Sequence, residues 1–226
     1  MKFIIFSLFI ISASCANKQE QIPLKEAFKN HFLIGAAINH SQILKKDTVG
    51  FKLLCKHFNS ITPENEMKWE NIHPRPGNYN FTISDSFVSL GQSLNMFIVG
   101  HTLVWHSQTP AWVFKDNKGN FVTRDTLLKR MREHIFTVVG RYKGKVHGWD
   151  VVNEALNDDG TLRKSKWLEI IGEDYIEKAF EYAHEADPNA ELYYNDYSLA
   201  NPLKREGAIK LIKNLKEKNI RIDGIG

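Results

Sequence analysis

Short apolar runs alternate with helix-length periodic stretches along most of this chain, and no other feature narrows the fold as much. Six runs read as strands: "FLIGAAIN" (32–39), "FNSITPEN" (58–65), "MFIVGHTLVW" (96–105), "VHGWDVVNEA" (146–155), "AELYYNDYS" (190–198) and "IDGIG" (222–226). Most are continuously apolar, as strands buried on both faces of a parallel sheet must be. Between them, "TRDTLLKRMREHIFTVVGRY" sets Leu127, Leu128, Met131, Ile135, Val138 and Val139 at helical spacing, with Thr123 as a candidate cap. The stretches "EDYIEKAFEYAHEAD" and "NPLKREGAIKLIKNLKEKNIR" are also helical in pattern. Alternation of this kind implies a parallel sheet, either doubly wound or closed into a barrel.

Polar residues favour the barrel. In the second to fifth runs the apolar residues come first, and polar or aromatic ones gather at the C-terminal end: Glu64 and Asn65, His101 and Trp105, Asn153 and Glu154, Asn195 and Asp196. Active sites of (β/α)8 barrels are assembled there, from several strand ends at once. No glycine-rich phosphate loop follows the first run, which weakens a dinucleotide-binding reading. His, Cys and carboxylate residues show no metal-ligand spacing, so neither a metal nor a cofactor is expected.

Composition fits one globular domain: 226 residues, 42% of them hydrophobic. A net charge of +4, with lysines and arginines spread among acids, gives no reason to expect a nucleic-acid partner. The basic C-terminal stretch reads as a solvated helix face. Residues 1–20 hold an apolar run from Phe3 to Ile11, too short to span a bilayer, followed by small residues; this is the pattern of a secretory leader to be removed. Cys15 follows Ser-Ala-Ser, which resembles the lipobox of bacterial lipoproteins, although Ser12 stands where an aliphatic residue is expected. Two outcomes stay open: lipid on Cys15 with membrane attachment through it alone, or ordinary cleavage nearby. Either way the protein is expected outside the cell or on its surface. With the leader gone, Cys55 would be a free core thiol and no internal disulfide could form.

Glu154 is the strongest candidate for chemistry. A carboxylic acid among apolar neighbours and tryptophans tends toward its neutral, proton-donating form. Strict strand alternation would send Asn153 and Glu154 to opposite faces, so both reach the barrel mouth only if the strand ends at them. His101, Leu103 and Trp105 share a strand face in "HTLVWHSQTP"; tryptophan stacks on sugar rings and imidazole can bond hydroxyls. "TPENEMKWE" supplies Glu64, Asn65 and Lys68, for which surface salt bridging is the simpler reading. In "YYNDYS", Tyr193 and Tyr194 also fit core positions and Asp196 a helix cap.

Taken in order, "TPENEMKW", "HTLVWHSQTP", "WDVVNEAL" and "YYNDY" resemble the endo-β-1,4-xylanases of glycoside hydrolase family 10, from about His31 to the end of the chain. The resemblance implies a (β/α)8 TIM barrel that hydrolyses β-1,4-xylan with retention, acting as a monomer on xylan and xylo-oligosaccharides. It matches Glu154 to the acid/base and Asn153 to the amide that bonds the 2-hydroxyl of the sugar at the cleavage point. Glu64, Asn65 and Lys68 match residues that bind the glycone sugar one subsite further out. His101, Trp105 and Gln108 match the floor of the glycone site, and Tyr197 falls in the fifth-strand motif. Ser198 departs from the asparagine expected after that tyrosine. The family's nucleophilic glutamate comes from a seventh strand, whereas this sequence stops within the sixth. Residues 21–226 are therefore expected to be an incomplete, inactive catalytic barrel. Two alternatives remain, a non-catalytic xylan-binding surface protein and a related retaining β-glucanase.

Overall fold

The computed structural model describes residues 21–226, so the leader and Cys15 lie outside the described residues. The strands are β1 (Gly35–Ile38), β2 (Ser60–Pro63), β3 (Phe97–Trp105), β4 (Gly148–Asn153), β5 (Glu191–Asn195) and β6 (Gly224–Ile225). All pair in parallel in the order β1-β2-β3-β4-β5-β6. The helices are α1 (Leu24–Ala27), α2 (His40–Ile43), α3 (Thr48–His57), α4 (Trp69–Ile72), α5 (Thr82–Ser93), α6 (Arg124–Arg141), α7 (Lys166–Ile171), α8 (Tyr175–Ala186) and α9 (Pro202–Glu217). Each strand thus returns to the sheet through helix, which is what a parallel neighbour requires. Residues from β1 to β5 line one cleft of about 420 Å³, among them Ala36, Thr62, His101, Asp150 and Asn195. A sheet whose first and fifth strands face one cleft is curved, as six strands of a (β/α)8 barrel are.

Local sequence explains the elements. Thr123 caps α6 by accepting from the Thr126 N–H, and the helix buries Leu127, Met131, Ile135, Val138 and Val139, with Leu128 half-buried. α8 buries Ile176, Ala179, Phe180 and Ala183 and packs on α6. β4 is buried along its whole length, so it lies at the centre of the sheet rather than at an edge. β3 passes very close to it: a Cβ on Gly100 would overlap the Trp149 ring. The anticipated strands all form, but each is shorter than its apolar run. The β2 ladder ends before Glu64 and Asn65 and the β4 ladder before Glu154, while Trp105, Asn153 and Asn195 are the last paired residues of their strands.

Three expectations need correction. Asp196 caps no helix; Asn201 caps α9, accepting from the Leu203 N–H, with Pro202 at the first helical position. The basic stretch is solvated at Arg205, Lys210, Lys213 and Lys216, but Lys204 within it is fully buried. Cys55 is free but only half-buried on α3, so it is not a core thiol.

Candidate active site

The end of β4 positions the central carboxylate. The strand stops at Asn153, and Glu154 then takes a left-handed φ of 55°. The change of hand breaks the strand's alternation, so both side chains reach the same end of the sheet. The Glu154 N–H donates to the Asn195 carbonyl at 2.8 Å, and Arg163 Nε donates to the Glu154 carbonyl at 3.0 Å. A left-handed non-glycine residue costs about 1–2 kcal/mol, and these two bonds hold it there.

Trp105, the last residue of β3, donates its indole N–H to Glu154 Oε2 at 3.0 Å. The side-chain amides of Asn153 and Asn195 meet at 2.7 Å. Turned over, the Asn153 amide donates to the Asn195 carbonyl at 3.2 Å and accepts from Trp105 Nε1 at 3.3 Å. The one indole N–H therefore lies within reach of both anticipated residues.

β2 brings its own group to the same rim. Lys68 is buried, with its Nζ 4.8 Å from the Trp105 ring centre and donating to Asn65 Oδ1 at 3.0 Å. Burial lowers the Lys68 ammonium below its ordinary range, while the charges of Glu154, Glu66 and Glu64 oppose that shift. Surface salt bridging does not describe Lys68. Glu64 and Asn65 are exposed, and Glu64 lines the cleft. Gln108 lies in the turn after β3 with a φ of 45°, and its carbonyl accepts from the Glu70 N–H at 2.9 Å.

His101 lines the cleft with its Nδ1 2.8 Å from Asp150 Oδ2. Leu103, expected on the same face, is buried in the core. The reason lies in the strand pairing: β3 carries one extra residue against β4 between His101 and Val104, which resets the alternation. Tyr197 is exposed beyond β5, and its hydroxyl accepts from Arg163 Nη2 at 3.1 Å. Ser198 has a φ of 57°, a conformation that asparagine tolerates better than serine.

Three side chains of the site escaped sequence reasoning. Asp150 sits mid-strand in "WDVVNE", and nothing in the apolar pattern says that it points into the cleft. Arg163 lies in a loop of ordinary composition. Trp167, on α7, donates from Nε1 to the Trp105 carbonyl at 2.9 Å and so steadies the residue that contacts Glu154. A lone charge inside a buried strand was the available signal for Asp150, since such a group needs a partner.

The arrangement offers a carboxyl group held by an indole N–H, an adjacent amide, a cation and a tryptophan face at the C-terminal rim, joined to the cleft through Asn195, which bonds Asn153. That set suits protonation of a sugar leaving group. A Beta-1,4-xylanase of Dictyoglomus thermophilum is 53% identical over 212 residues, covering 92% of this chain and 57% of that protein. An Endo-1,4-beta-xylanase of Geobacillus stearothermophilus is 51% identical over 210 residues, covering 90% and 61%. Among solved structures, an intracellular xylanase of Thermoanaerobacterium saccharolyticum, a glutamate-to-alanine mutant in complex with xylotriose, is 45% identical with a TM-score of 0.87, covering 92% of this chain and 67% of that one. The chain thus spans about three-fifths of the length of the two curated relatives. The sequence model of glycosyl hydrolase family 10 matches residues 23–226, nearly everything the structure describes, and the chain belongs to that family.

Proposed function

We propose that this chain forms the acid/base side of an endo-β-1,4-xylanase that cleaves xylan with retention. The contact between Trp105 Nε1 and Glu154 Oε2 carries the reading, because it fixes a carboxyl group at the C-terminal end of β4, where the strand ends of the sheet converge. The relatives' names, and the xylotriose bound to the Thermoanaerobacterium mutant, support xylan and xylo-oligosaccharides as substrates.

Glu154 gives its proton to the glycosidic oxygen as the bond to the anomeric carbon breaks. A second carboxylate attacks that carbon from the opposite face, and Glu154 then takes a proton from the water that hydrolyses the glycosyl-enzyme. The two carboxyl groups must lie about 5–5.5 Å apart for this chemistry, and we assign the second to a strand beyond the six described. Asn153 bonds the 2-hydroxyl of the sugar being cleaved. Glu64, Asn65 and Lys68 hold the next glycone sugar, and His101, Trp105 and Gln108 form the floor of the glycone site. Tyr197, exposed beyond β5, belongs to the same substrate-binding set. Export, with or without lipid on Cys15, is a proposal that rests on the leader alone.

The test uses this chain joined to the C-terminal segment of a close relative, which completes eight strands. Glu154→Ala should lower xylan hydrolysis on the order of a hundredfold to ten-thousandfold. An aryl xylobioside with an acidic phenol needs little protonation, so it should still form the glycosyl-enzyme, and azide should rescue turnover. Equal losses on both substrates without azide rescue would remove Glu154 from this role. Release of reducing sugar from carboxymethylcellulose in preference to xylan would replace the substrate.

A further inference from the structure

A lysine with no exposed surface stands in the first turn of α9, and packing does not account for it. The positive end of the helix dipole favours an anion at that position. Burial of the ammonium adds a desolvation penalty that a single ion pair need not offset. Yet Lys204 Nζ is fully engaged: it lies 2.9 Å from Asp196 Oδ1, 3.5 Å from Asp158 Oδ1 and 3.4 Å from the centre of the Tyr197 ring.

Each of these partners leads back to Glu154. Asp196 is itself fully buried; its Oδ2 accepts from the Tyr194 hydroxyl at 2.5 Å and from the Leu156 N–H at 3.3 Å. Tyr197, with Lys204 against its ring, accepts at its hydroxyl from Arg163, the residue that bonds the carbonyls of Glu154 and Leu156. Asp158 belongs to the loop after Glu154, and its carbonyl accepts from Asn201 Nδ2 at 3.1 Å. That loop is seated directly on α9, since a Cβ on Gly207 would overlap the backbone of Gly160. Glu154 cannot keep its left-handed backbone by intrinsic preference, so whatever fixes Arg163 and the Leu156 N–H fixes the carboxyl group.

We propose that Lys204 is a positioning residue for the acid/base: from α9 it locks Asp196 and Tyr197, and through them Arg163 and the backbone on both sides of Glu154's carbonyl. The proposal rests on the acid/base role given to Glu154 above. It places control of proton delivery in the helix that follows β5, away from the cleft. Lys204 touches no substrate in this account.

The test compares Lys204→Met and the double variant Asp196→Asn/Lys204→Met with their parent, all in the completed eight-stranded protein. The double variant removes both buried charges and so keeps the fold if the single one does not. Hydrolysis of xylan should fall at least tenfold. Hydrolysis of an aryl xylobioside with an acidic phenol, which needs little protonation, should fall less than threefold. Equal losses on the two substrates, or no loss in either variant, would overturn the proposal, because loss of folded protein lowers both rates alike. A parent that hydrolyses neither substrate defeats the functional reading instead. Positioning is read separately, in the completed eight-stranded protein, by amide exchange. In the double variant the Glu154 and Leu156 amides should exchange at least tenfold faster while those of Ile61 and Ile98 hold; unchanged exchange at Glu154 and Leu156 would overturn the proposal there too.

Discussion

Two histidine rings, His73 and His134, are buried with their Nδ1 atoms 3.4 Å apart, His73 stacked on Tyr79 and His134 on Trp69. Burial lowers His73 from its ordinary 6.5 to about 4, and burial together with the neighbouring ring also lowers His134 well below 6.5. The sign of the consequence follows. Below pH 6.5 the unfolded chain takes up protons that the folded chain refuses, so stability falls as the pH drops from about 6.5 toward 4. For His73 alone the loss reaches about 2 kcal/mol at pH 5. Urea unfolding at pH 7 and pH 5 should therefore show a smaller pH penalty in His73→Gln than in the parent, and parallel losses would contradict this. Other side chains were more legible. Glu64, Asn65, Asn153 and Glu154 were readable because each ends an apolar run. Asp150 was not, because its direction depends on one-residue offsets between β3, β4 and β5. Lys204 was misread with its neighbours: helix-face reasoning assigns a lysine to solvent, and only the tertiary fold brings Asp196 beneath it.

Strand and helix identities were readable for reasons that propensity alone does not supply. α6 follows from the spacing of its apolar residues and from Thr123, both local to the sequence. Strand limits were not local, because a parallel ladder ends where its neighbour's does. β6 pairs at only two residues although its apolar pattern covers five. Glycine shows the same contrast between local and tertiary control. Gly100 in β3 faces the Trp149 ring across the ladder, whereas a Cβ on Gly140 in α6 would meet open space. Gly100→Ala should then destabilise by about 1–3 kcal/mol through overpacking, and Gly140→Ala should stabilise by about 0.5–1 kcal/mol through helix propensity. Denaturant midpoints measure both, and the same sign at both positions would show that these contacts do not govern the response.

At the scale of the whole molecule, β1 and β6 do not pair with each other, so among the described residues the sheet has two open edges. A closed barrel leaves none. In the segments that precede and follow β1, Ile22, Phe32, Leu33, Val49 and Leu53 are each more than half exposed. Apolar surface beside an unpaired strand is a route to self-association. The same openness bears on catalysis, since six strands hold Glu154 at the C-terminal rim without the opposing carboxylate that we assign to a later strand. Residues 21–226 alone should therefore bind a hydrophobic dye, aggregate at low denaturant and release no xylo-oligosaccharide from xylan. Joining the C-terminal segment of a close relative should lower dye binding and restore hydrolysis together, because the strands that close the edges also complete the pair of carboxyl groups. Xylan hydrolysis by residues 21–226 alone, abolished by Glu154→Ala, would mean that a carboxylate among the described residues serves as the partner of Glu154. Asp150 and Glu64, which line the cleft, would then be the first residues to replace.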